Sequence, residues 1–154
     1  MQLTNKIIGL FILTAMLLIS ACSSDETMSA QEKQLKKLSA TWVVTSASMD
    51  GTDYSAEYAD FELTLSGSTN SSVYAYGVLG RPEISPWSSG GTWVFGTDVK
   101  STLTRDSGAD DATEIAYSVT DDQLTLSFSF AGEGYHSGRI SSVSGNWTYT
   151  FSKK

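Results

Sequence analysis

The hydrophobic pattern of this chain changes period twice. Ile7–Ile19 is an almost unbroken apolar run of thirteen residues. Leu35 and Leu38 then stand three apart among charged neighbours, the spacing of one helix face. From Thr41 onward the period is two. Phe61, Leu63 and Leu65 alternate with Glu62, Thr64 and Ser66, and Leu124, Leu126, Phe128 and Phe130 alternate with Thr125, Ser127 and Ser129. Ile115, Tyr117 and Val119, and later Trp147, Tyr149 and Phe151, repeat the rhythm. Side chains of a strand point to opposite faces in turn. An apolar face backed by a Ser/Thr face is the pattern of antiparallel sheet with one wet side.

Turn residues punctuate the alternating runs: Asp50-Gly51, Ser66-Gly67 with Asn70, Asp106-Ser107-Gly108 and Asp121-Asp122. They supply positive φ or side-chain bonds to the local backbone. The pattern predicts about eight strands, near 41–49, 59–66, 72–79, 91–97, 100–105, 113–120, 123–131 and 144–152. Most connections are too short for parallel crossovers. The expected class is all-β. An eight-stranded antiparallel up-and-down barrel removes exposed edges; the rival arrangement is a two-sheet sandwich. A short helix over Ala30–Leu38 is expected ahead of the strands. Ser29 is placed to cap it, with Glu32 three residues on, as in a capping box.

The first apolar run has the length of a signal-peptide core and falls short of the roughly 20 residues of a spanning helix. Lys6 precedes it, and Ile19-Ser20-Ala21-Cys22 follows. That tetrapeptide resembles the lipobox of bacterial lipoproteins. The resemblance implies cleavage before Cys22, a diacylglyceryl group on its thiol, and a freed amine open to a further acyl chain such as palmitate. The expected division is a signal peptide over 1–21, a lipidated tether over 22–30 and a barrel domain over 31–154. Ser23 stands where an Asp favours inner-membrane retention in enterobacterial lipoproteins, so the expected address is the cell envelope, at the outer membrane. Cys22 is the only cysteine, and lipidation would account for it.

The chain carries a formal charge of −7, and loss of residues 1–21 removes only Lys6. Such an acidic domain lacks the electrostatic footprint of nucleic-acid binding. Its overall charge would not hold it to anionic headgroups either, so attachment is expected to depend on the lipid. Lys33, Lys36 and Lys37 on the helix read as a solvated face.

The phrases Ser39-Ala40-Thr41-Trp42-Val43, Ser89-Gly90-Gly91-Thr92-Trp93-Val94-Phe95 and Gly145-Asn146-Trp147-Thr148-Tyr149, with the helix, the strand count and the lipobox, resemble the lipocalin-like lipoproteins of Bacteroidetes-type bacteria. Ala40 stands where the lipocalin pattern has glycine. The resemblance implies a lipocalin-like barrel and an arginine over the first-strand tryptophan, which puts Arg139 over Trp42.

Residues with catalytic potential are sparse. The single histidine, His136, shares a glycine-rich loop with Glu133 and Ser137, a spacing that enforces no triad geometry. Asp106, Asp110, Asp111 and Glu114 carry oxygen ligands suited to calcium, but not at EF-hand spacing. No metal or cofactor is expected, and no enzymatic activity. The connection 80–90 holds Pro82, Pro86 and Trp87; the tryptophan either stacks on an outside partner or folds back to plug the barrel. Tyr74 and Tyr76 share a face and enrich it in aromatic rings. The expected function is non-enzymatic binding of a small apolar or amphipathic ligand inside the barrel, with Trp87, Tyr74, Tyr76, Trp42 and Arg139 as candidate contacts. The alternative is an envelope interaction module that docks a protein or glycan through its loops.

Overall fold

A computed structural model describes residues 28–134 and 143–154. Cys22, His136 and Arg139 lie outside the described residues. Helix α1 (Ala30–Leu38) opens with both halves of the capping box: the Glu32 backbone N–H donates to Ser29 Oγ at 3.2 Å, and the Ser29 N–H donates to the Glu32 carboxylate at 2.7 Å. Leu35 and Leu38 are buried, so the apolar stripe covers one end of the sheet.

Nine strands follow: β1 (Ala40–Met49), β2 (Thr52–Asp53), β3 (Glu62–Ser66), β4 (Tyr74–Leu79), β5 (Gly90–Phe95), β6 (Thr102–Arg105), β7 (Thr113–Val119), β8 (Gln123–Phe130) and β9 (Gly145–Lys153). From β3 to β9 each strand pairs antiparallel with the next, β1 pairs with β3, and β1 also pairs with β9. That last pairing closes an eight-stranded up-and-down barrel and settles the choice against a sandwich. The two-residue β2 is an extra strand beside the far half of β1.

Strand β1 changes register between Val44 and Ser46. The extra residue, Thr45, is exposed and donates its hydroxyl to the Thr150 carbonyl at 3.0 Å. Such a bulge bends a strand and re-aims its side chains. Here it lets both Trp42 and Ala47 face inward although they are five apart. Strand β3 begins at Glu62 rather than near 59, because the Phe61 N–H closes a turn onto the Tyr58 carbonyl.

The barrel has two distinct ends. The helix end carries α1, the connections 67–73, 96–101 and 120–122, and the C-terminus. The loop end carries the connections 80–89 and 106–112 and residues 131–134.

Candidate functional site

Eight strands give a barrel just wide enough for side chains to fill, and here aromatic rings do so. Tyr149 on β9 sits at the centre, within 5.2–6.2 Å, centroid to centroid, of Tyr58, Phe61, Trp87, Phe128, Trp147 and Phe151. Phe128, Trp147 and Phe151 come from alternate strand positions and Phe61 from the flank of β3, whereas Tyr58 comes from the turn segment before it. Trp87 comes from the 80–89 connection, which turns inward at the loop end. Ser85, Pro86 and Trp87 are all buried, and Trp87 is 2% exposed. The tryptophan is therefore a plug and offers no face to an outside partner.

Arg105 holds the plug from behind. This side chain, the last of β6, is 1% exposed. Its guanidinium carbon lies 4.9 Å from the Trp87 ring centroid and 5.8 Å from that of Phe128. Nη1 donates to the Pro86 carbonyl at 2.8 Å, Nη2 donates to Thr113 Oγ1 at 3.2 Å, and Nε lies 3.5 Å from Asp106 Oδ2. Buried charges are stable only when paired and hydrogen-bonded, and the loop carbonyl is one of those partners. Asp106, at φ 51°, also accepts the Tyr76 hydroxyl at 2.8 Å and the Thr92 N–H at 2.9 Å. The Tyr76 hydroxyl meets Ser88 Oγ at 2.7 Å. The loop carrying Trp87 is thus fastened on both sides of the tryptophan, at Pro86 and at Ser88.

Among the described residues, three polar atoms in this interior lack a complete hydrogen bond: the Trp87 indole N–H, the Tyr149 hydroxyl, and Arg105 Nε, which has only the 3.5 Å approach to Asp106. The first two lie near enough to bias one another. Burial holds the Tyr149 phenol far above its ordinary range, Tyr58 adds to the effect, and the Trp87 N–H and Arg105 oppose it. Burial likewise raises the Tyr76 phenol. The Tyr58 phenol is raised by burial too, and its hydroxyl donates to Ser85 Oγ at 3.4 Å.

Tyr74 and Tyr76 point inward, opposite exposed Val73 and Ala75. Tyr76 borders the plug, 5.8 Å from Trp87. Tyr74 lies toward the helix end, beside Trp93 and Phe95, with its hydroxyl accepting from Gln31 Nε2 at 2.9 Å. Trp42 is fully buried near α1 and donates its indole N–H to the Leu38 carbonyl at 2.9 Å. Among the described residues the Lys153 ammonium lies over its ring, 5.7 Å from the centroid; the placement expected of Arg139 falls outside the described residues. Of the expected contacts, then, Trp87 and Tyr76 meet in one site and Trp42 and Tyr74 do not join them. Arg105 was missed. Alternation marks it as inward-facing two residues after Leu103, but an arginine at an inward position reads as the solvent end of a strand.

Two surface grooves lie at opposite ends. One, of about 600 Å³, runs along the loop end between Asp110–Glu114 and Ser129–Gly134. Asp110, Asp111, Glu114 and Glu133 line it over a half-buried Phe130. The other, of about 480 Å³, lies against α1 and is lined by Met28, Lys33, Lys36, Lys37, Asp121 and Lys153. Among the described residues no group of three or more His, Cys, Asp or Glu side chains is placed to hold a metal ion. Asp106, grouped with Asp110 and Asp111 by sequence, instead turns inward.

Fold and site together define a closed, self-filled antiparallel barrel with a helix over one end and a tryptophan loop in the other. Compared with family models, curated proteins and solved structures, the chain matches none. No helix among the described residues is long and apolar enough to cross a membrane.

Proposed function

We propose that this chain is a lipid-anchored, non-enzymatic binding protein of the cell envelope, whose ligand takes the place of the Trp87 plug. The anchor is Cys22, at the outer membrane. The observation that carries the binding reading is the plug itself. A loop residue, Trp87, fills the interior beside the central Tyr149, and its buried indole N–H lacks a complete hydrogen bond next to the Tyr149 hydroxyl and the Arg105 guanidinium. An unpaired buried donor costs about 1–3 kcal/mol, a cost that a ligand's polar group placed here would relieve. A small amphipathic molecule fits this corner. Its apolar body would lie among Phe61, Phe128 and Tyr149, and its polar or anionic head would meet Arg105 and the Tyr149 hydroxyl.

Binding of an environment-sensitive fluorescent fatty acid tests this, with its uncharged ester as control. The Trp87→Ala chain should bind the acid more tightly than wild type, and Arg105→Lys should weaken the acid more than the ester. Equal failure of wild type and Trp87→Ala to bind either probe would refute the reading.

A second reading, an interaction module that docks an envelope protein or glycan, is favoured by one observation: the interior is occupied while the acidic groove around Phe130 stands open at the loop end. Its test is recovery of an envelope partner by wild type but not by Phe130→Ser.

A further inference from the structure

The lysines of this protein gather at one end of the barrel. Every lysine after residue 28 lies at the helix end: Lys33, Lys36 and Lys37 on α1, Lys100 in the 96–101 connection, and Lys153 and Lys154 at the end of β9. The carboxylates of the acidic groove lie at the other end, because β7 begins at that groove and runs to the Asp121 turn beside the basic one. Strand alternation hid this arrangement, since Lys153 is remote in sequence from the helix it joins.

Four of these lysines face one groove. Lys33, Lys36, Lys37 and Lys153 are exposed, and among the described residues no carboxylate pairs with any of them. The other groups packed at this end are largely occupied. Lys154 is held by Glu62 at 2.9 Å. Asp98 accepts from the Lys100 N–H and the Ser101 hydroxyl, and Glu32 accepts from the Ser29 N–H. Among the described residues that line the groove Asp121 is the one acid, with Asp122 next to it. Met28 gives the groove an apolar rim.

The described chain starts at this same end, at Met28. Cys22 lies six residues earlier, and an extended chain covers at most about 3.6 Å per residue. A lipid on Cys22 therefore keeps the groove within roughly 20 Å of the bilayer. We infer that the helix end is a docking face for an anionic phospholipid surface, with Lys33, Lys36, Lys37 and Lys153 seated on the phosphates and the barrel standing loop end outward. This rests on the lipid anchor proposed above. The negative total charge does not oppose it. Along a tilted strand of the length of β7 the acidic groove is held roughly 18 Å away. That is about two screening lengths at physiological ionic strength.

The test uses the full chain in two forms, acylated protein recovered from membranes and Cys22→Ser. Vesicles are phosphatidylcholine alone or with phosphatidylglycerol at about a third of the lipid. Hydrogen exchange of residues 30–38 in the acylated protein should slow on the anionic vesicles only. The slowing should vanish in high salt and in Lys33→Gln/Lys36→Gln/Lys37→Gln, and persist with arginine at those three positions. Cys22→Ser should sediment with anionic vesicles more than with neutral ones, and the triple glutamine variant of it should lose roughly tenfold or more of that partition. Protection that is equal on both vesicles would overturn the docking face. So would protection that grows with protein concentration in the absence of lipid, which would assign the groove to the acidic end of a second copy. Intact mass separates the two claims: an unmodified Cys22 overturns the anchor, whereas an acylated chain without charge-dependent protection overturns the docking face alone.

Discussion

Trp87 and Arg105 are interdependent. The guanidinium stacks on the indole and bonds the carbonyl of the residue before it, so loss of either residue releases the loop. Trp87→Ala should cost about 3–5 kcal/mol in chemical denaturation, the range for a large aromatic removed from a core. Unlike a cavity in a passive core, this one should be refilled: saturating amphipathic anion at a hundredfold its dissociation constant should restore about 2.7 kcal/mol. A loss that no ligand offsets would reduce Trp87 to a structural residue. The buried phenols make a second prediction. Tyr58, Tyr76, Tyr117 and Tyr149 are all raised by burial above an ordinary value near 10, Tyr117 to about 12. A raised phenol favours folding fully at neutral pH and loses that contribution as pH climbs from 10 through the folded value. Phenolate absorbance should therefore appear together with loss of near-ultraviolet circular dichroism above pH 10; phenolate forming in a still-folded barrel would contradict the assignment. The inward set, Tyr149 and Trp147 included, was legible in the sequence because alternation depends only on the pleat. Arg105 was not, since nothing local tells an inward arginine that its partners are a loop carbonyl and an aspartate next in line.

Among the elements, α1 is held by its cap and its two leucines. Ser29→Ala should cost about 1 kcal/mol and should free Gln31 and Leu35 near Tyr74, measurable as faster exchange in 30–35. The Glu32 carboxyl is held below its ordinary value, first by the Ser29 backbone N–H and then by the Ser29 hydroxyl. A lowered carboxyl favours the helix fully above its ordinary value and loses that contribution as pH falls through the lowered one, so fraying of α1 should set in at acid pH. Strand β5 needs its glycine: a Cβ at Gly91 would meet the Asp106 carboxylate and the Tyr76 ring. Gly91→Ala should break the Tyr76–Asp106 bond and loosen the Trp87 loop, raising probe binding as Trp87→Ala does. The helix and its capping box were legible because both are written within four residues. The eight barrel strands were legible to within three residues at their ends. The bulge at Thr45 and the short β2 were not, because each answers to curvature set by strands far away in sequence.

For the whole molecule, closure depends on β1 meeting β9 over Trp42–Met49, a pairing between the two extremes of the domain. Turn spacing implied a meander and edge removal favoured the barrel over the sandwich, but only the long-range β1–β9 contact decides between them. The same pairing brings Lys153 to α1 and gives the barrel its basic end, and the folded-back 80–89 loop gives the other end its plug. The proposed function joins these two ends: one faces the membrane that holds the protein, the other admits the ligand. Native mass spectrometry of the full chain, released gently from the membranes of its own host, tests that claim most directly. The account predicts a polypeptide beginning at an acylated Cys22 and carrying one additional small amphipathic mass that leaves on activation, with higher occupancy in Trp87→Ala. A chain that carries no such mass, in wild type and in Trp87→Ala alike, would contradict it.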